Sequence, residues 1–210
     1  MTTPSGSAPP RLNPFRTSRV HSLRFRFDDR LHAGSPDDEL TALWRRFETL
    51  GRRSALVGPE GSGKSTLLQR LEALFEEKHA RPGAVLRLCL HAERRDLDAA
   101  EWQAVKAADG SKLITVDGAE QMPRFSWWRL RWTSRRSAGL LITAHRPGLL
   151  PTLRVHRTSA ALLHRLVDEA TNGRTLPFAV DLDALFVSHS GNLRDCLAEL
   201  YDRWAASGRE

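Results

Sequence analysis

The chain has 210 residues and a formal net charge of +7, with 40% hydrophobic and 27% charged residues. This composition excludes disordered, collagen-like and membrane-embedded chains, and the length fits one domain with a small appendage. No apolar run approaches the roughly 20 residues that a membrane-spanning helix needs, and residues 1–15 lack the apolar segment of a secretion signal. The sequence therefore predicts a cytoplasmic protein. Only four of its 32 Lys and Arg residues are lysine, so arginine carries most of the positive charge.

The first 50 residues contain a tail, an extended segment and a helix, in that order. Residues 1–11 are rich in Thr, Pro, Ser and Gly and predict a disordered tail. The alternating residues 23–27, Leu-Arg-Phe-Arg-Phe, predict a short half-exposed strand. Apolar residues at helical spacing then predict a helix that follows Asp37 and ends at Gly51.

Apolar strands alternate with helices through the rest of the chain. The predicted strands are residues 55–57, 85–90, 112–116, 139–143 and 152–158. One predicted helix contains Leu67 to Phe75 and ends before Pro82. The other predicted helices span residues 98–107, 121–136, 159–171, 181–189 and 192–206. Since strands that alternate with helices form parallel sheets covered on both faces, we expect an α/β core over residues 12–158 and a small helical piece over residues 159–210.

Residues 58–65, Gly-Pro-Glu-Gly-Ser-Gly-Lys-Ser, match the phosphate-binding pattern G-x-x-x-x-G-K-[ST] at every position. The glycines let the backbone curl so that successive N–H groups point at phosphate oxygens, and the following helix adds its positive end. The Lys64 ammonium would contact the β- and γ-phosphates, and the Ser65 hydroxyl would coordinate Mg²⁺. The predicted nucleotide-binding residues are Gly58, Pro59, Glu60, Gly61, Ser62, Gly63, Lys64, Ser65 and Thr66.

A Mg²⁺ ion at this loop also needs a carboxylate in or near its coordination shell. Asp117 ends the apolar strand Leu-Ile-Thr-Val, about fifty residues after the loop. We therefore predict that Ser65 and Asp117 are the metal ligands. An aspartate at the end of a strand can instead cap the next helix.

With these motifs the chain resembles P-loop ATPases of the AAA+ and STAND types (ORC/NACHT-like), in which an extra strand separates the phosphate-loop strand from the Asp strand. The resemblance covers residues 37–205. The chain also looks like short bacterial P-loop ATP-binding proteins, through Asn13-Pro14-Phe15 and the Asp-Gly-x-Glu-Gln segment that begins at Asp117. The resemblance implies a three-layer fold with a five-stranded parallel sheet in the order 5-1-4-3-2, a helical lid at residues 159–210, and ATP with Mg²⁺ as ligands. No Asn-Lys-x-Asp motif that would read guanine occurs in the sequence, which favours ATP over GTP.

The same resemblance implies three further catalytic residues, which are Glu120, Thr143 and Arg194. AAA+ proteins usually carry Glu directly after the Asp, where this chain has Gly118; Glu120 instead matches the NACHT-type pattern and is the candidate general base. Thr143, at the end of the fourth strand, resembles the sensor-1 residue that contacts γ-phosphate, with His145 and Arg146 as second choices. The alternatives are that Glu120 is a surface residue in the first turn of a helix and that Thr143 is an ordinary strand end.

Residues 191–194, Gly-Asn-Leu-Arg, resemble the sensor-2 motif of the AAA+ lid, which makes Arg194 the candidate arginine over the nucleotide phosphates. A helix start with a solvated arginine is the alternative. Only seven residues separate His145 from Leu153, which leaves no room for the helix that carries an AAA+ arginine finger. This departure argues against a ring-shaped motor activated by a neighbouring subunit.

The positive charge is concentrated in residues 124–157, which contain eight arginines and no aspartate or glutamate. Within this window, the Arg/Trp-rich residues 124–136 interleave aromatic and basic side chains, as protein surfaces that bind nucleic acids or membranes do. Trp128 and Trp132 could instead anchor this helix in the core while arginine stems cover apolar surface. We therefore expect either a protein partner, a nucleic acid or a purely structural role for residues 124–136.

The leading functional hypothesis is an ATP-binding and ATP-hydrolysing switch that acts on a partner. The first alternative is a P-loop kinase of a small molecule, with the arginine-rich segment as its lid. The second is a non-hydrolysing, ATP-gated nucleic-acid-binding module, in which Gly118 reflects lost catalysis.

Overall fold

The computed structural model describes residues 13–16 and 36–207. Its centre is a five-stranded sheet of β1 (Arg53–Val57), β2 (Val85–Cys89), β3 (Leu113–Asp117), β4 (Gly139–Ala144) and β5 (Thr152–Val155). All neighbouring strands are parallel, in the order β5-β1-β4-β3-β2. The α/β class and the strand order predicted from the sequence are confirmed. The predicted tail (1–11) and the predicted strand (23–27) lie outside the described residues.

Helices connect the strands and form the C-terminal part of the chain. They are α1 (Pro36–Thr49), α2 (Lys64–His79), α3 (Ala99–Ala107), α4 (Arg124–Thr133), α5 (Ala160–Thr171), α6 (Leu182–Ser188) and α7 (Leu193–Ser207). Short 3₁₀ turns precede and follow α4, at Ala119–Gln121 and Ser134–Arg136. None of the helices in the described part of the chain is long and apolar enough to span a membrane.

The sheet is buried on both faces because side chains of successive strand residues point in opposite directions. In β4, Leu140 and Ile142 belong to the apolar cluster that includes α3 and α4, whereas Leu141 belongs to the cluster with α1 and α2. All three are fully buried. This burial on both faces explains why the strands appear as continuous apolar runs in the sequence.

The predicted helix over residues 121–136 is divided into three pieces in the structure. Met122 has an extended backbone, with φ −69° and ψ 134°, directly before Pro123. A proline ring clashes with a helical residue in front of it, so Met122 cannot be helical, and the helix begins at Arg124 with Pro123 as its N-cap. Glu120 therefore lies in a separate 3₁₀ turn beside β4 rather than in the first turn of α4.

The described residues form two compact units. One contains the sheet and residues 36–157, and the other contains α5, α6 and α7 with residues 13–16. In this helical unit, the Asn13 side-chain amide donates to the Tyr201 carbonyl at 2.9 Å, and the Phe15 ring packs edge-on against Trp204. The predicted core of residues 12–158 includes Asn13 and Phe15, whereas the structure places these two residues with α7.

Candidate nucleotide-binding site

The glycine-rich loop connects β1 to α2 and curls over the carboxyl end of the sheet. Gly61 and Gly63 have left-handed φ angles of 68° and 83°, which glycine adopts without a steric penalty. The Lys64 ammonium is buried and donates to the carbonyls of Gly58 and Pro59, each at 2.7 Å. Gly63 caps α2 without a side-chain hydrogen bond, so the first N–H groups of this helix can receive an anion.

The remaining residues of the predicted loop lie around this turn. The Ser62 hydroxyl donates to the Pro59 carbonyl at 2.7 Å and closes the turn. Glu60 is exposed at the loop tip, and Thr66 is partly buried in the first turn of α2. The structure therefore brings all nine predicted residues into one loop and helix start.

A buried histidine that the sequence analysis did not identify supports the loop from β5. The His156 ring Nδ1 donates to the Ser62 carbonyl at 3.0 Å, and its backbone N–H donates to Val57 at 2.6 Å. A Cβ atom on Gly58 would lie 2.6 Å from the His156 Cβ, so only glycine fits at position 58. No sequence pattern marks His156, because its role depends on the pairing of β5 with β1.

His156 should make the stability of the protein depend on pH. Burial, and then the nearby charges of Arg154 and Lys64, lower the pKa of His156 to about 4 from its ordinary value of 6.5. The unfolded chain then binds a proton that the folded chain does not, so stability present above pH 6.5 is lost as the pH falls towards 4. We expect the free energy of unfolding to fall by about 2 kcal/mol between pH 7 and pH 5 from this residue alone.

Urea unfolding of the wild type and of His156→Asn at both pH values would measure this effect. Asparagine can still donate to Ser62 but does not titrate in this range. We therefore expect a smaller loss of stability in the variant. An identical pH dependence in the two proteins would show that His156 is not the group responsible.

Three predicted residues meet in one hydrogen-bond network at the carboxyl ends of β3 and β4. Both the Ser65 and the Thr143 hydroxyls donate to Asp117 Oδ1, at 3.0 and 2.6 Å. Thr143 also accepts a hydrogen bond from the Gly118 N–H at 2.8 Å. The Thr143 hydroxyl proton is thus donated to Asp117, and two hydroxyl donors hold this carboxylate in position.

Gly118 occupies a place where no other residue fits. Its φ is 81°, and a Cβ atom would lie 2.4 Å from the Leu90 carbonyl oxygen. The Leu90 N–H in turn donates to the Asp117 carbonyl at 2.8 Å, which holds the two strand ends together. The backbone therefore excludes a glutamate directly after Asp117.

Gly118→Ala should destabilise the fold by about 2–4 kcal/mol, the combined cost of a left-handed non-glycine residue and of overpacking. Gly51→Ala is the matched control, because Gly51 has φ 71° but no atom lies within 4 Å of its Cβ position. We expect this control to lose only about 1 kcal/mol. Urea unfolding measures both, and equal losses would mean that the Leu90 contact costs nothing.

Glu120 lies near the same end of the sheet and contacts a histidine. Glu120 Oε1 is 3.3 Å from His145 Nδ1, and Glu120 Oε2 is buried without a hydrogen bond to the part of the chain that the structure describes. A buried carboxylate oxygen with unused acceptor capacity can receive a hydrogen bond from a water molecule. Arg146, the exposed residue after His145, forms no ion pair with Glu120 within the part of the chain that the structure describes.

The oxygen atoms at this site suit a magnesium ion. Mg²⁺ binds to proteins through one or two carboxylates and hydroxyls, with substrate phosphates and waters completing its shell. The Ser65 hydroxyl and the Asp117 carboxylate provide such a pair, 3.0 Å apart. When bound, the ion would neutralise the charge that develops on the phosphate oxygens.

Arg194 lies in the helical unit rather than in the unit that carries the loop. It is exposed in the first turn of α7, where its N–H donates to the Asn192 side chain at 3.1 Å. Gly191 before it has φ 79°, which forms the sharp turn between α6 and α7. The contact of Arg194 with a nucleotide stays a prediction.

Comparisons with known proteins show the fold. Cdc6p from Pyrobaculum aerophilum superposes with a TM-score of 0.57, at 16% identity over 91% of this chain and 66% of that protein. NtrX from Brucella abortus, solved in complex with ATP, gives a TM-score of 0.54 at 16% identity over 92% of this chain and 56% of NtrX. The chain spans less than two thirds of the length of either protein. It has the P-loop NTPase fold.

Similarity to known proteins at the level of sequence is low. A cytidylate kinase of Corynebacterium diphtheriae is 26% identical over 174 residues, which cover 74% of this chain and 70% of the kinase. No family model matches the chain.

Proposed function

We propose that this protein binds ATP with Mg²⁺ and hydrolyses the nucleotide, as a small AAA+/STAND-like switch. The observation that carries the proposal is the 3.0 Å contact between Ser65, at the end of the loop, and Asp117, at the end of β3. These two side chains hold a metal beside the phosphates only if the loop and the strand end meet, and they do. The ATP in the NtrX structure supports the same choice of nucleotide.

In this proposal each residue has a separate task. Lys64 leaves the loop carbonyls to contact the β- and γ-phosphates, and the N–H groups of the loop bind the other phosphate oxygens. Glu120 orients a water molecule and accepts its proton as the water oxygen bonds to the γ-phosphorus. The bond to the β–γ bridging oxygen breaks, and ADP and inorganic phosphate leave.

Two residues would report which nucleotide is bound. Thr143 ties Asp117 to the backbone of Gly118, so a change at the γ-phosphate can reach both strand ends. Arg194 would contact the phosphates of bound ATP. Its engagement with ATP and its release after hydrolysis would give two states.

The proposal is tested by calorimetry of ATP binding and by phosphate release, each with Mg²⁺ and with the ion removed by chelation. We expect ATP binding that strengthens with Mg²⁺ and a turnover that requires it. Tight ATP binding without any phosphate release would favour the non-hydrolysing alternative. Absence of ATP binding would overturn the proposal.

A second candidate function is phosphoryl transfer to a small molecule, which the likeness to a cytidylate kinase favours. A kinase would release ADP only when an acceptor accompanies ATP. ADP formation measured with and without CMP, and with other nucleoside monophosphates, separates the two functions. Acceptor-independent phosphate release supports the ATPase, and ADP formation in step with CMP phosphorylation supports the kinase.

A further inference from the structure

One face of α4 carries a row of exposed aromatic rings. Phe125, Trp128 and Trp132 are 74%, 62% and 58% exposed, and their rings stack in sequence with centroids 6.5 and 6.2 Å apart. Leu130 on the opposite face is fully buried. The interpretation of Trp128 and Trp132 as core anchors is therefore wrong, although the two residues do share a face. We call the three rings the aromatic row.

Arginine side chains continue the aromatic row at its C-terminal end. The Arg135 guanidinium lies over the Trp132 ring, 4.0 Å from its centroid. Beside it is a cavity of about 330 Å³, lined by Leu50, Arg53, Trp128, Arg131, Trp132, Arg135, Leu140, Leu150 and Pro151. None of these nine lining residues is acidic. The cavity combines three guanidinium groups, two indole rings and an apolar floor.

The three arginines of the cavity are close enough to influence one another. Partial burial, and next the charges of Arg131 and Arg135, lower the pKa of Arg53. The Arg53 guanidinium is held in place by hydrogen bonds to the hydroxyl and carbonyl of Ser134. Neighbouring positive charges repel one another, so an anion that contacts all three guanidinium groups would be bound favourably.

The cavity lies near the amino ends of β1 and β5, whereas the phosphate loop lies at the carboxyl end of β1. Arg53 begins β1 and Pro151 precedes β5, whereas Gly58 follows the carboxyl end of β1. A five-residue strand spans about 15 Å, so the two sites are separate. The arginines of the cavity are therefore not part of the nucleotide site.

We propose that the aromatic row and its arginine cavity bind single-stranded nucleic acid. Bases can stack on the rings of Phe125, Trp128 and Trp132 irrespective of sequence, while phosphates contact Arg53, Arg131 and Arg135. Charge complementarity requires an anionic partner, since residues 124–157 carry eight arginines and no acid. Unpaired bases supply the flat apolar groups that match the rings, and a duplex hides them.

A membrane surface is the competing partner for tryptophan and arginine side chains. Helices that lie on membranes bury a continuous apolar face and direct their charges away from it. In this structure Arg131 and Arg135 instead line the same cavity as Trp128 and Trp132, so the charges and the rings lie together. That arrangement fits a base with its phosphate better than a layer of lipid.

The proposal is tested by fluorescence anisotropy with labelled 20-nucleotide oligo(dT) and oligo(U) strands, at two salt concentrations. We expect salt-dependent binding that the double variant Trp128→Ala/Trp132→Ala weakens at least tenfold. The conservative pair Trp128→Phe/Trp132→Phe should retain most of the affinity. Because both residues are exposed, the thermal melting of each variant should match the wild type and exclude misfolding as the cause.

Charge is tested separately with Arg131→Gln/Arg135→Gln. This pair removes two proposed phosphate contacts and should reduce the slope of log affinity against log salt by about 1.4, since each contact to a single strand contributes about 0.7. The matched control is Arg45→Gln/Arg81→Gln, which removes the same charge from exposed sites outside the cavity and should leave the slope nearly unchanged. Lys64→Ala should also leave oligonucleotide binding unchanged, so this test is independent of the proposed ATPase.

Several outcomes would overturn the proposal. They are absence of oligonucleotide binding at low salt, unchanged binding by the tryptophan-to-alanine pair, and equal affinity for a duplex of the same length. Equal affinity for free UMP would reassign the cavity to a small molecule. Binding to phosphatidylserine vesicles through the same two tryptophans, without oligonucleotide binding, would assign the surface to a membrane.

Discussion

Replacing Lys64 by alanine should abolish ATP binding, with a loss in affinity of at least about 100-fold. The Lys64 ammonium is buried inside the loop and is held by the carbonyls of Gly58 and Pro59, at the place where phosphates would enter. A cation next to two phosphates in a partly desolvated loop contributes several charge-assisted hydrogen bonds, each worth about 1.5–3 kcal/mol. Calorimetric titration with Mg²⁺ and ATP measures the loss.

The matched control for this prediction is Lys78→Ala. Lys78 lies on the same helix, α2, but is exposed in its last turn. We expect this variant to bind ATP like the wild type, and both variants to remain folded by circular dichroism. Undiminished ATP affinity in Lys64→Ala would contradict the assignment of residues 58–66 as the phosphate site.

Replacing Glu120 by glutamine should leave ATP binding intact and slow hydrolysis by about 100-fold or more, the usual contribution of a general base. The amide has the shape of the carboxylate but does not accept the proton of the attacking water. Single-turnover phosphate release, measured with enzyme in excess over ATP, separates this chemical step from product release.

A second variant distinguishes the role of Glu120 from that of its neighbour. His145 contacts Glu120 Oε1 at 3.3 Å, so His145→Gln should reduce the rate less than Glu120→Gln does if His145 only positions the carboxylate. Wild-type turnover in Glu120→Gln would show that another group activates the water. A loss of ATP binding in the same variant would make Glu120 a structural residue.

Local sequence patterns were sufficient for the parts of the site that depend on one segment. The loop of residues 58–65 and the strand that ends at Asp117 both follow from contiguous residues, because a glycine-rich turn and an apolar run each have a local physical cause. Their meeting at Asp117 Oδ1 follows from the parallel order of β1, β4 and β3. The strand order itself came from resemblance to a known fold and not from the spacing of residues.

Other features depend on contacts between distant segments and could not be predicted from the sequence. His156 supports the loop only because β5 pairs with β1, and nothing near position 156 indicates that pairing. Helical spacing places Trp128 and Trp132 on one face, yet spacing alone does not determine which face of α4 packs on the sheet. Leu130 and the partly buried Trp127 decide it by filling the apolar cluster.

The conformation of Gly118 limits how this site can evolve. A side chain at position 118 would require the turn after β2 to move, because the Leu90 carbonyl already occupies its place. A single codon change from glycine to glutamate therefore cannot produce the pair of adjacent acids that AAA+ proteins usually carry. Two strand ends would have to change together, and homologues with a side chain at this position should show a displaced turn after the second strand.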